Sequence, residues 1–278
     1  MKNIERISEV AHTIVTRITP VFVESYAKRN LIAVTEKKDG GQVGAPDIES
    51  NRIFEEELSR AWPRTEILGE EGRQNWPSSA DEAWDVDPFD GTDNFLGGFM
   101  ISSAMATYLV DGIVMGVMIL LPFEHYATGE GIYVAARGEG AFAFSRDGSM
   151  RRMYVSAETK LDRAFIAIEG SSRMIESIPA KSRLGKIARR NRAVFGAGQS
   201  AVAVADGAYN PRGVSALIAF NNAHWDNLPA FLVEEAGGRV TDHAGNPITV
   251  TNYTDMVASN GLVHDEVLDV INHRRSEG

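Results

Sequence analysis

The chain has 278 residues, 44% hydrophobic and 24% charged, with a formal net charge of −10 and no cysteine. That length supports one large domain or two closely packed halves around a substantial core. The lack of cysteine excludes disulfides, thiolate zinc sites and a cysteine nucleophile, and the acidic balance argues against extended contact with a nucleic acid polymer.

The opening Met1-Lys2-Asn3-Ile4-Glu5-Arg6 lacks the apolar core of a signal peptide. The longest apolar stretch, residues 113–121, is too short to cross a bilayer and contains Gly116. A cytoplasmic protein with no membrane partner is expected. Ile4, Ile7, Val10, Ala11, Ile14, Val15, Ile18, Val21 and Phe22 recur at i, i+3, i+4 spacing, which predicts an amphipathic core helix. Residues 35–47 then read as a glycine-rich loop ending at Asp47, which precedes Ile48, Phe54 and Leu58 as a helix N-cap would.

A short strand at 65–68 leads into Gly69-Glu70-Glu71-Gly72, which puts two carboxylates just past a buried segment. A solvated turn would account for them equally. A second strand, 83–86, runs into Asp87-Pro88-Phe89-Asp90-Gly91-Thr92. A strand ending in that turn would aim Asp87 and Asp90 at one point, with Pro88 stiffening the backbone and Gly91 allowing close approach of a bound group. Paired carboxylates repel unless they share a proton or a cation, and an oxygen-only ligand set favours Mg²⁺, Mn²⁺ or Ca²⁺ over zinc. A polar turn capping the next element is the other account of the pair.

Strands at 103–110 and 113–120 flank Asp111-Gly112, a strong hairpin signal. Further strands are expected at 132–136, 141–144 and 164–168. Residues 181–192 carry Lys181, Arg183, Lys186, Arg189, Arg190 and Arg192, either a solvated helix face or a wall for a second phosphate. Residues 193–195 lead to Gly196-Ala197-Gly198-Gln199-Ser200, a glycine-rich turn before a helix that could bind phosphate without matching a P-loop. Asp226 is placed as N-cap of a helix holding Leu228, Phe231, Leu232 and Glu235, which Gly237 ends before a strand at 239–241. A strand at 256–259 and a helix at 263–271 close the chain. The first half therefore reads as α+β around a largely antiparallel sheet and the second as α/β, with halves 1–150 and 151–278 meeting after Asp147-Gly148-Ser149. The metal-binding motifs fall in the first half, and Asp226 and substrate contacts in the second.

The order GEE, then Asp87-Pro88-Phe89-Asp90-Gly91-Thr92-Asp93-Asn94-Phe95, then Trp225-Asp226 followed by Glu235-Ala236-Gly237-Gly238, resembles the inositol monophosphatase family. These are Mg²⁺-dependent, lithium-sensitive phosphomonoesterases related to fructose-1,6-bisphosphatases and 3′-phosphonucleotidases. The resemblance implies a five-layered αβαβα fold with the site between the two halves. It implies Glu70, Asp87, Asp90 and the Phe89 carbonyl as ligands of one metal and Asp87, Asp90 and Asp226 as ligands of a second, two or three Mg²⁺ ions in all, with Mn²⁺ as a substitute and Li⁺ as inhibitor. It implies Asp47 and Thr92 as the pair that orients and deprotonates the attacking water, and Glu71 as a support of the metal shell. Backbone N–H groups of Gly91 and Thr92 would meet the phosphate. Asn221 and Asn222, outside what the resemblance implies, could read a different alcohol or a second phosphate. Family members are commonly dimers, so a homodimer acting on a small phosphorylated metabolite is expected.

Two departures bear on substrate. The loop before Asp47 replaces the family's usual Ser, Pro and Thr and carries Pro46, and Ala219 stands where animal members have a glutamate that contacts inositol hydroxyls. An inositol, sugar or polyol phosphate is the expected substrate class, ahead of a bisphosphate (fructose-1,6-bisphosphate or 3′,5′-bisphosphonucleotide) or histidinol phosphate. A non-catalytic relative that binds a metal or a partner is the alternative from a different class.

Overall fold

The computed structural model describes residues 2–32, 35–36, 42–72, 80–170, 178–192, 196–208 and 213–272. Residues 37–41 of the glycine-rich loop and the segment 193–195 lie outside them. No helix among the described residues is long and apolar enough to cross a membrane.

The chain begins with α1 (Lys2–Ala27), whose Ile4, Ile7, Ala11, Ile14, Val15, Ile18 and Phe22 form one buried stripe. The short strands β1 (Thr35–Glu36) and β2 (Gln42–Val43) pair ahead of α2 (Ala45–Ala61). Arg17 of α1 forms ion pairs with Glu56 and Glu57 of α2. Ion pairs in contact with water are weak because solvent and salt screen them, whereas each buried isoleucine of the stripe contributes about 1.5–3 kcal/mol. The apolar stripe therefore decides where α1 docks.

A sheet follows from β3 (Glu66–Gly69), β4 (Glu82–Asp90), β5 (Ser103–Val110), β6 (Ile113–Leu120), β7 (Glu130–Ala136), β8 (Gly140–Ser145) and β9 (Met150–Arg152), with α3 (Thr92–Leu96) and α4 (Pro122–Thr128) as short insertions. Only the β3/β4 pair is parallel; the other neighbours are antiparallel hairpins and meanders. Asp111 (φ 50) and Gly112 (φ 72) both adopt left-handed backbone, the geometry a two-residue hairpin turn needs.

The second sheet contains β10 (Phe165–Glu169), β11 (Arg190–Arg192), β12 (Val214–Ala219), β13 (Arg239–Asp242) and β14 (Met256–Ser259), in the order β11-β10-β12-β14-β13. Its helices are α5 (Ile178–Ile187), α6 (Ala197–Ala205), α7 (His224–Asn227), α8 (Phe231–Glu235) and α9 (His264–Ile271). The β10/β11 and β10/β12 pairs are parallel and the others antiparallel. The basic stretch is divided between two elements: helix α5 stops at Ile187, and Arg190 and Arg192 lie on the edge strand β11. Charged residues on an edge strand discourage further pairing.

Three apolar layers set the order αβαβα. One packs α1 and α2 on the outer face of the first sheet through Trp84, Val86, Ala104, Met118 and Val134. The middle layer packs α6 and α8 between the sheets, from Met105, Val117 and Ile119 to Ala167, Leu217 and Ala258. Alanines recur throughout it, at Ala197, Ala201, Ala205, Ala219 and Ala236 among others, which lets helices sit close against both sheets. The third packs α5 and α9 on the far face of the second sheet. Both sheets thus present one face to the same middle layer, and the acidic residues gather where that layer's apolar packing ends.

Candidate active site

Strand β4 supplies the central pair. In a regular strand, residues i and i+3 point to opposite faces. Here Asp87 pairs with Met105 and Asp90 with Ser103, so three residue steps on β4 match two on β5. The extra residue is a β-bulge at Pro88-Phe89. Pro88 has no N–H to give to a ladder, which makes this a natural place to break one. The bulge returns Asp90 to the face of Asp85 and Asp87, while Phe89 stays with Trp84 and Val86 in the outer core, stacked on Phe22 at 4.1 Å. The motif is thus mostly strand rather than turn; the turn is Gly91 alone, in left-handed backbone (φ 86), with α3 starting at Thr92.

Each acid is held by its own local device. Asp90 accepts from Ser103 Oγ at 2.6 Å, from the Gly198 N–H at 3.0 Å and from the Ala197 N–H at 3.3 Å. The glycine-rich turn 196–198, read from sequence as a possible phosphate cradle, instead brings the N-terminus of α6 onto this carboxylate. A Cβ on Gly196 would lie 2.4 Å from Asp90 Oδ2, and one on Gly198 2.4 Å from Ser103 Oγ. Asp87 Oδ1 accepts from the Phe89 N–H at 3.0 Å. Glu70 is placed by its backbone: its N–H donates to the Val86 carbonyl at 3.0 Å. Gly69 before it (φ 146) approaches so closely that a Cβ would lie 2.0 Å from the Val86 oxygen.

Asp226 and Asp47 correct an expectation in the same way. Neither is an N-cap; the caps are Ala223 and Gly44, and both aspartates sit at the third helical position. Asp226 Oδ2 accepts from the Ala223 N–H at 3.2 Å, and Asp47 Oδ2 from the Gly44 N–H at 2.9 Å. This is the return half of a capping box, and it leaves the other oxygen of each carboxylate for the site. Pro46, the residue that departs from the family loop, occupies the first turn of α2, where its missing N–H costs no helical bond.

One ligand oxygen each from Asp87, Asp90 and Asp226 lies within 4.8 Å of the others. Burial, then repulsion from Glu70, Asp90 and Asp226, pushes the Asp87 carboxyl well above the ordinary range. Burial also raises Asp90, against the Ser103, Gly198 and Ala197 hydrogen bonds. Burial, then Asp90 and Glu70, raises Asp226. Among the described residues no Lys, Arg or His forms an ion pair with these three. Two carboxylates at that separation repel by about 4 kcal/mol in a protein-like dielectric, so the donor set fits a hard divalent cation.

Beside the acids, the Thr92 hydroxyl lies 3.2 Å from Asp47 Oδ1 and 3.2 Å from the Phe89 carbonyl oxygen. Asp47 is 2% exposed. Glu71 follows Glu70 in the same turn and is half-buried. Asn221 is exposed, with its N–H donating to Asp255 Oδ1 at 2.9 Å, and the Asn222 N–H donates to the Thr254 carbonyl. No described hydrogen bond joins either asparagine side chain to the acids. Of the basic stretch, Arg183 is occupied with the Val270 and Ile271 carbonyls at the end of α9.

The family model described as the inositol monophosphatase family matches residues 3–276. The chain belongs to that family. It is a phosphatase of phosphomonoesters, as members of the inositol monophosphatase family are. It is 31% identical over 242 residues to a fructose-1,6-bisphosphatase/inositol-1-monophosphatase of Thermotoga maritima, covering 85% of this chain and 86% of that protein. It is 30% identical over 217 residues to a histidinol-phosphatase of Mycobacterium tuberculosis, covering 77% and 78%. A solved IMPase/NADP phosphatase complexed with Mg²⁺ and phosphate shares the fold at TM-score 0.80, with 22% identity and coverage of 99% and 98%.

Sequence reasoning missed a buried pair that ties the two sides of the inositol-monophosphatase-family site together. His224 Nδ1 lies 2.8 Å from Asp85 Oδ2. Burial raises the Asp85 carboxyl and the His224 hydrogen bond lowers it, with burial the larger effect. Asp85 is two residues before Asp87 and His224 two before Asp226, so this clamp holds β4 against α7 directly beside the metal-type ligands. The alternation Trp84-Asp85-Val86-Asp87 carried the signal: two aspartates on one face of a buried strand each need a partner.

Proposed function

We propose that this protein hydrolyses a small phosphomonoester, of the inositol, sugar or polyol phosphate class, in a Mg²⁺-dependent reaction. The observation that carries the reading is the convergence of Asp87 and Asp90 from β4 with Asp226 from α7, next to the Thr92–Asp47 pair. Glu70, Asp87, Asp90, Asp226 and the Phe89 carbonyl would hold two or three Mg²⁺ ions, with Mn²⁺ as a substitute and Li⁺ as inhibitor. Such ions neutralise phosphate oxygens, lower the pKa of a bound water and stabilise the leaving alkoxide.

The chain's own residues do the rest. Thr92 Oγ1 accepts a hydrogen bond from the attacking water while donating to Asp47, which takes the proton as general base. The Gly44 N–H holds Asp47 in the rotamer that faces Thr92. Glu71 supports the turn that carries Glu70. The N–H groups of Gly91 and Thr92, at the start of α3, would meet the phosphate oxygens, and Asn221 and Asn222 would read the alcohol. Residues 1–150 and 151–278 act as two halves with the site between them, save that Arg151 and Arg152 finish β9 on the first sheet, and the assembly is a homodimer in the cytoplasm.

The histidinol-phosphatase relative supports a second reading, histidinol phosphate as substrate. The deciding experiment is a phosphate-release screen with Mg²⁺ over inositol, fructose, histidinol and 3′-nucleotide phosphates, run with wild type and Asp90→Asn. Release from a polyol phosphate by wild type and its loss in a folded Asp90→Asn variant is the expected result. No release across the panel, or near-normal turnover by the variant, overturns the assignment.

A further inference from the structure

One half-buried carboxylate near the site has no part in the chemistry above. Glu169 is the last residue of β10, aligned across the parallel ladder with Ala219 of β12. Ala167, two residues earlier, and Ala219 both line the middle apolar layer. By the two-residue period of a strand, Glu169 therefore points into that layer at its open end. The contacts agree. Ser200 of α6, itself fully buried, donates its hydroxyl to Glu169 Oε1 at 2.7 Å. The same helix holds Asp90 through its first amides. The charges of Asp90 and Glu169 act on each other, and those of Glu169 and Asp226 do too.

The second oxygen of Glu169 is without a hydrogen-bond partner among the described residues, and it is not among the atoms sealed from solvent. Burial pushes this carboxyl up to about 8, against the Ser200 hydrogen bond. Among the described residues the Lys181 ammonium acts on this carboxylate through its charge but forms no ion pair with it, lying 5.3 Å over the Phe220 ring and 3.5 Å from the Gly170 carbonyl. Opposite, Ala219 contributes only a methyl. The result is a carboxylate with one oxygen pinned and one presented, beside the acids but on the other sheet, over a neighbour that fills no space. An acceptor so placed, still open to solvent beside the acids, can exchange a water for a hydrogen-bond donor of a ligand.

We propose that Glu169 reads the leaving alcohol: its free oxygen accepts hydroxyl hydrogens of the substrate and selects polyol phosphates over esters whose alcohol has no hydroxyl. Ser200 is the positioning residue that fixes the carboxylate for this. The proposal rests on the phosphatase reading of the site.

The test compares kcat/KM for a polyol phosphate (inositol 1-phosphate) with that for an aryl phosphate (p-nitrophenyl phosphate) in wild type, Glu169→Ala and Ser200→Ala. The polyol-to-aryl ratio should fall on the order of tenfold in Glu169→Ala, the loss expected of one hydrogen bond, and in the same direction but less in Ser200→Ala. Equal losses on both substrates, or an unmoved ratio, overturn the proposal. Should Glu169→Ala fail to fold, Ser200→Ala carries the comparison. Calorimetric titration of inositol 1-phosphate in Ca²⁺ separates this from the site assignment. If wild type releases phosphate from neither ester, the phosphatase reading fails, and binding that weakens about tenfold in Glu169→Ala still supports Glu169 as reader, whereas unchanged binding sinks it.

Discussion

Asp47 and Asp226 show how much two oxygens of one carboxylate can divide between them. In each, one oxygen closes a helix N-terminus and the other remains for the site. For Asp47 this separates structure from chemistry in a testable way. Asn at this position keeps an oxygen that can accept from Gly44, but it cannot take a proton. Asp47→Asn should cut kcat on the order of 10²-fold or more with little change in KM, because only the proton transfer is lost. Steady-state kinetics on the substrate found by the screen would show it, and an unchanged kcat would leave Asp47 as a helix-capping residue only. Asp85 and His224 work at the same scale with the opposite emphasis: their hydrogen bond joins β4 to α7 and so bears on the distance between Asp87 and Asp226, two residues of the candidate cation site.

Among the elements, α6 is the one whose role changed most. Its glycine-rich start has the composition of an anion cradle, and it does hold an anion, the side chain of Asp90. Helix N-terminal amides favour negative charge, and here that preference is used on a carboxylate that burial and neighbouring acids make costly. The close approach requires residues without side chains. Gly196→Ala, with an ordinary φ of −76, leaves the helix intact but drives a methyl to within 2.4 Å of Asp90 Oδ2. The apparent Mg²⁺ affinity should fall at least about tenfold, the scale of a change behind a metal ligand, while the folded state is retained by circular dichroism. A variant with wild-type Mg²⁺ dependence would mean that Asp90 can yield without consequence.

At the scale of the molecule, the acids sit where both sheets end against the middle layer, and their mutual repulsion links stability to pH and to cations. Asp87, Asp90 and Asp226 all have carboxyls raised in the folded state, by burial first. The folded protein then holds more protons than the unfolded chain above the unfolded carboxylate range. Stability of the metal-free protein is accordingly full below that range and declines as pH rises through the raised values. Divalent cation binding opposes the decline, since it replaces protons among the same oxygens and stabilises by mass action. Thermal unfolding in EDTA should show Tm falling as pH rises above the unfolded carboxylate range, and the gain from added Mg²⁺ should widen over the same rise. A Mg²⁺ gain that is flat with pH would separate the acids from cation binding.

What the sequence determined by itself was local or repetitive. The apolar stripe of α1, the Asp111-Gly112 hairpin and the glycine stop after α8 follow from periodicity and backbone preference, and the order of acidic motifs places the chain in its family. Those signals depend on residues near one another in the chain. The tertiary structure alone decided which carboxylates share a face. A single extra residue at Pro88-Phe89 turned Asp87 and Asp90 from opposite sides of a strand to the same side, and no local propensity prescribes a bulge against β5. It also gave the glycine turn at 196–198 to Asp90, paired Asp85 with His224, and set Glu169 across from Ala219. Each of these joins segments far apart in sequence, and each depends on how two sheets share one apolar layer, which is a property of packing rather than of any stretch of chain.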